Sequence, residues 1–73
     1  MPRLYSARKI VKAFKKAGFV PVSQQGSHLK MRGVWNDKIR TFIVPMHKEV
    51  ALGTFKSILS QADMTSEDFK KFV

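Results

Sequence analysis

Hydrophobic positions recur at helical spacing from Ala7 to Ala17, where Ala7, Ile10, Val11, Phe14 and Ala17 fall on one stripe. Ser6 stands where a side-chain oxygen caps a first turn, and Gly18 where a last turn ends. The opposite side carries Arg8, Lys9, Lys12, Lys15 and Lys16, so this helix offers one face to a core and one cationic face to its surroundings. After Gly18 the pattern changes. Phe19–Gln25 reads as extended, because Val20, Pro21 and Val22 favour strand geometry, and Pro21, which cannot donate a ladder hydrogen bond, makes it an edge strand. Gly26 is the natural turn into a second strand, Ser27–Arg32, in which Leu29 and Met31 alternate with His28, Lys30 and Arg32. Strand side chains point to opposite faces in turn, so one face is apolar and the other cationic.

Gly33–Lys38 reads as a loop, and Ile39–Val44 as a third strand that Pro45 ends. Its apolar residues leave either face as the buried one. Met46–Leu52 is expected to be irregular. Gly53 and Thr54 then start a helix whose Phe55, Ile58, Leu59 and Ala62 share a stripe. Thr65 and Asp68 form a capping-box variant that opens a short terminal helix with Phe69, Phe72 and Val73 on its apolar side. The order α-β-β-β-α plus a short C-terminal helix predicts an α+β fold, with the helices on one face of a three-stranded antiparallel sheet. Residues 1–73 are expected to form a single domain, since a chain this short buries only about 60% of its unfolded surface and has no material for a second core.

Composition narrows the function. There is no cysteine, so neither a disulfide nor a Cys-bound zinc staples the chain, and a reducing, cytoplasmic setting is expected. No stretch approaches the ~18 apolar residues of a membrane span, and the N-terminus interleaves Arg3, Arg8 and Lys9 with small residues, without a secretory core. Fourteen Lys and Arg against five Asp and Glu leave a formal charge of +9. Such a field draws phosphate backbones and acidic protein surfaces. A merely solvated basic surface is the plainer alternative.

Among polyanions, RNA carries its own nucleophile. Cleavage by its 2′-hydroxyl needs in-line geometry, a proton acceptor, a proton donor and charge stabilisation at phosphorus, and no metal is obligatory. Histidine as a residue type suits the proton steps, with an ordinary pKa of about 6.5. Of the two histidines, His28 follows the Gly26 turn and Ser27 on the same strand face as Lys30 and Arg32, where a phosphate would be drawn. A lone histidine also fits a surface or structural role. His28 and His47 lack a third ligand for a metal, so no metal or other cofactor is expected. Ser27 lacks the nucleophile-elbow context of a hydrolase. Trp35 and Phe42 are each open to two readings, as a stacking platform for bases or as part of the core.

Three blocks carry a further signal: Gly18-Phe19 leading to Gln24-Gln25-Gly26-Ser27-His28, then Ile43-Val44-Pro45-Met46-His47, then Gly53-Thr54-Phe55-Lys56-Ser57-Ile58-Leu59-Ser60-Gln61-Ala62. In this order and spacing, over nearly the whole chain, they resemble the HicA family of mRNA interferase toxins. The resemblance implies a double-stranded-RNA-binding-domain-like fold, metal-independent endoribonuclease action on mRNA, and neutralisation in a hetero-oligomer with a HicB-type antitoxin. Carried onto this chain, the family's catalytic histidine is His28. From their place beside it, Lys30, Arg32 and the backbone amides near Gly26 and Ser27 are expected to hold the phosphate. His47 matches a recurrent histidine of the second block and is assigned to RNA contact or local structure. The chain departs from the family in Leu29, where many members carry a second histidine, in Asp63, where glycine commonly ends the helix, and in the length of the Gly33–Lys38 loop. Two alternatives stand beside this reading. One is a non-catalytic RNA-binding module of the same fold, and the other a basic surface that docks an acidic protein.

Overall fold

In the computed structural model, which describes residues 4–73, the order is α1 (Ala7–Lys16), β1 (Val20–Gln25), β2 (His28–Trp35), β3 (Lys38–Pro45), α2 (Leu52–Ala62) and α3 (Ser66–Lys70). Arg3 lies outside the described residues. The strands form one antiparallel sheet in the order β1-β2-β3, and this is the α+β architecture that the pattern predicts. Ser6 caps α1, its Oγ accepting from the Lys9 amide at 3.1 Å, and Gly18 at φ 104° ends it. The helix buries Ala7, Ile10, Val11, Ala13 and Phe14.

β1 is an edge strand, as Pro21 requires, and its register with β2 shifts between Pro21 and Ser23. All six of its residues are exposed. The first turn is two residues long. Gly26 sits at φ 58°, a conformation that suits a tight hairpin and disfavours side chains, and β2 accordingly begins at His28, one residue later than the alternation suggested.

The expected Gly33–Lys38 loop does not exist. β2 runs on to Trp35 and β3 starts at Lys38, leaving only Asn36 and Asp37, at φ 52° and 65°, to turn the chain. Two successive positive φ angles match the right-handed twist of the flanking strands, and Asn and Asp tolerate that region better than other side chains. Gly33 is a strand residue here because Phe19 lies against it. A Cβ at Gly33 would stand 2.7 Å from the Phe19 ring and 2.9 Å from its Cα.

β3 buries its even positions, Phe42 and Val44, which face Met31 and Leu29 across the pairing. Phe42 is thus core and not a base platform. It packs at 4.5 Å from the Phe14 ring and 5.3 Å from Phe19. Trp35 is half-buried and meets Phe72 edge-on at 5.9 Å, closing the end of the core. Both helices cover the same sheet face, and Phe55, Phe69 and Tyr5 extend the aromatic cluster beyond α1.

α2 begins at Leu52, earlier than Gly53 and Thr54 suggested, and its N-cap Ala51 supplies no side-chain hydrogen bond. Its buried stripe of Phe55, Ile58, Leu59 and Ala62 holds it in place of a cap. The helix ends at Asp63 in the left-handed conformation, φ 56°. The Asp63 carboxylate accepts from Asn36 at 3.0 Å and pairs with Arg40 at 3.3 Å, tying the β2–β3 turn to the end of α2. α3 has the reciprocal capping box of Thr65 and Asp68.

Two glycine substitutions separate packing from propensity. Gly33→Ala should destabilise by about 1–3 kcal/mol through overpacking against Phe19. Gly53→Ala, where a Cβ meets nothing within 4 Å on α2, should stabilise by roughly 0.5–1 kcal/mol. In a domain of this size each kcal/mol moves Tm by about 4–8 °C, so thermal unfolding of the two variants should shift in opposite directions.

Candidate functional site

The outer face of the sheet is set by the parity of β2. Leu29 and Met31 point into the core, so His28, Lys30 and Arg32 point away from it, and all three are exposed. His28 is the first residue after the Gly26-Ser27 turn and lies between Gln25 of β1 and Pro45 of β3. Lys30 lies between Ser23 and Ile43. Arg32 lies between Val20 and Thr41, and its Nε donates to Thr41 Oγ1 at 3.2 Å, which holds the guanidinium against β3.

A shallow hollow of about 170 Å³ opens on this face, lined by Ser23, Gln25, His28, Lys30 and Ile43. An imidazole and an ammonium therefore share one depression with a hydroxyl, a carboxamide and one apolar wall. Such a set can attract an anion and move a proton beside it. Arg32 stands one cross-strand pair further along the same face, outside the hollow but in line with it. Ser23, Gln25 and Ile43 were not singled out from the sequence. Cross-strand pairing was the missing signal, since the register with β1 and β3 places them beside His28 and Lys30.

Gly26 and Ser27 form the turn that presents His28, and both are exposed. The turn is braced twice. Gln24 Nε2 donates to the Gly26 carbonyl at 3.0 Å, and the Met46 amide donates to the Ser27 carbonyl at 2.6 Å. His47 is exposed too but belongs to a different hollow, of about 210 Å³, with Ser6, Ala7, Arg8, Met46 and Lys48. Its carbonyl accepts from the Ala7 amide at 3.0 Å, so its backbone anchors the start of α1. The two histidines thus line separate depressions. Among the described residues no three of His, Cys, Asp and Glu converge as metal ligands would.

The same outer face carries apolar residues at its margins. Ile39 is 71% exposed and Val34 63%, while Val20 and Ile43 stand beside Arg32 and Lys30. It is a mixed surface with a cationic middle row along β2 and aliphatic flanks.

The family described as HicA toxin of bacterial toxin-antitoxin matches the chain over residues 7–64. That span runs from the first residue of α1 to just beyond α2 and leaves α3 outside. No curated protein matches the chain. No solved structure matches it either.

The geometry of the Gly26 turn sets where His28 is held. Gly26→Ala forces a side chain into the left-handed region and should cost about 1–2 kcal/mol, lowering Tm by roughly 4–16 °C. Gly26→Asn, which tolerates that region better, should recover part of the loss. Equal unfolding temperatures for Gly26→Ala and the parent chain would show that this φ is not required.

Proposed function

Since the chain belongs to the HicA family of toxins of bacterial toxin–antitoxin systems, with a toxin role and an antitoxin partner in consequence, we propose that it acts as a metal-independent endoribonuclease on mRNA. His28 is the proposed catalytic residue. The observation that carries the reading is the row of His28, Lys30 and Arg32, exposed on one strand face beside an open hollow. A protein that only bound RNA would need the cations. A proton-transferring group beside them, held by a braced tight turn, is what cleavage adds.

In the proposed reaction the 2′-hydroxyl oxygen attacks the adjacent phosphorus and the bond to the 5′-oxygen breaks. His28 takes the 2′-hydroxyl proton or delivers one to the leaving oxygen, and water completes the other transfer. The products are a cyclic phosphate and a free 5′-hydroxyl. Lys30 and Arg32, with the backbone amides near Gly26 and Ser27, hold the phosphate and offset the charge that builds on its oxygens. Arg32 has one guanidinium nitrogen engaged by Thr41 and keeps the others for a ligand. His47, in its own hollow beside Arg8 and Lys48, fits RNA contact and not chemistry. The proposed inhibitor is a HicB-type antitoxin, joined with this chain in a hetero-oligomer, and the proposed setting is the cytoplasm.

A non-catalytic RNA-binding module of the same fold is the second reading, favoured by a hollow whose lining holds no second imidazole and no carboxylate to share the proton steps with His28. Incubating the purified chain with labelled RNA in EDTA separates the two. Cleavage with a cyclic phosphate end is the expected result. His28→Ala should lower the rate by about 10²–10⁴-fold while leaving RNA affinity and thermal unfolding nearly unchanged. A variant that still cuts at the parental rate removes His28 from the chemistry.

A further inference from the structure

Helix α1 carries Arg8, Lys9, Lys12, Lys15 and Lys16, all exposed, and no acidic residue. Arg8, Lys12 and Lys15 follow one another at spacings of four and three, so they lie in one stripe and repel each other. Arg8 and Lys9 also stand in the first turn, at the positive end of the helix, where cations are least welcome. α3 is arranged the opposite way, with Glu67 and Asp68 in its first turn and Lys70 in its last. The ion pairs among the described residues join Arg40 to Asp63 and Lys71 to Asp68 and take up none of the charges on α1. Local energetics argue against this stripe, so a polyanion is what it suits.

The stripe borders a groove. An open trough of about 460 Å³ is lined by Arg8, Lys9, Val11, Lys12, Lys15 and Met46. Met46 connects it to the histidine, because its amide donates to the Ser27 carbonyl at 2.6 Å and the preceding Pro45 pairs with His28. The groove and the His28 hollow share no lining residue and lie on opposite sides of the sheet, so a chain molecule that occupied both would cross the end of the sheet at Met46 to reach the row of cations. Four of its six lining residues are cations, and the surface they present with Val11 and Met46 is mostly apolar, because the aliphatic stems of Arg and Lys lie along the groove and the charged heads stand at its rim. That profile fits the phosphates of a strand along the rim, with sugar or base edges over the two apolar residues. Four cations with no acid paired to them favour a phosphate chain over a folded protein, whose interface centres are depleted in charge.

We infer that the α1 groove is a second phosphate-binding track for a single RNA strand, continuous with the His28 end of the sheet. The inference rests on the RNA reading above and deepens it. The substrate is a strand long enough to pass from His28 across Met46 and along Lys12 and Lys15, so affinity depends on residues remote from the chemistry.

The test uses the full chain with His28→Ala, which keeps the RNA whole, and a labelled single strand of roughly 20 nucleotides, longer than one small domain's site. Fluorescence anisotropy is read across a salt series. Adding Lys12→Glu and Lys15→Glu should weaken binding by roughly tenfold or more and flatten the salt dependence by about 1.4 in log-log slope, the share of two lost phosphate contacts. Adding Lys56→Glu and Lys70→Glu, exposed positions on α2 and α3, makes the same change of net charge and should have much the smaller effect. Circular dichroism checks that both variants fold. Equal losses in the two variants, or no binding before either change, overturn the track. So does RNA affinity that matches the control while antitoxin binding is lost, which gives the groove to a protein. Cleavage of the same RNA by the chain with His28 intact is scored separately. If it cuts but the track fails, only this inference falls, and if it does not cut while binding still depends on α1, only the catalytic reading falls.

Discussion

The parity of β2 is the constraint on which both the core and the candidate site depend. Leu29 and Met31 must face the helices, and because strand side chains alternate, His28, Lys30 and Arg32 must then face away. A slip of one residue would bury three polar side chains and expose two core residues at once. The register is therefore pinned at several points: by the tight turn at Gly26-Ser27, by the one at Asn36-Asp37, and by the close approach of Phe19 to Gly33. The geometry that fixes the fold and the geometry that presents the imidazole are the same set of contacts.

Much of this was legible because the two relevant periods are strong. The α1 stripe follows the helical repeat, and the β2 alternation is unbroken from His28 to Arg32. β3 was not legible in the same way. Ile39, Phe42, Ile43 and Val44 put apolar residues on both of its faces, and only pairing with β2 decides that Phe42 and Val44 go inward. Ile39 and Ile43 remain outside, beside the cations. Parity had to be inherited from the neighbouring strand, which a reading of β3 alone does not supply.

The departures from the local pattern share a cause: a tertiary partner overrides the local signal. Gly33 resembles a breaker until Phe19 is placed against it, and Asn36-Asp37 then suffices as a turn. Gly53 and Thr54 resemble a helix start, yet α2 begins without any side-chain cap because its buried stripe holds it. Asp63 accepts the left-handed conformation and uses its carboxylate on Asn36 and Arg40. In the site, His28, Lys30 and Arg32 were legible from one strand. Ser23, Gln25 and Ile43 come from its neighbours and needed the register.

The distribution of charge follows from where the stabilising free energy resides. Phe14, Phe19, Phe42, Phe55 and Phe69 form a connected aromatic cluster under one face of the sheet, with pairs of this kind contributing about 0.5–1.5 kcal/mol each beyond simple burial. Asp63 and Asp68 are spent on a helix end and a capping box, and neither lines the hollow beside His28. With packing secured on one side, the outer face is free of any duty to the core. Cations can be placed there without acids to neutralise them, at the modest cost of their mutual repulsion in water. A phosphate chain approaching that face exchanges the repulsion for attraction and releases its own counterions, so a surface that contributes little to folding becomes favourable when a ligand covers it.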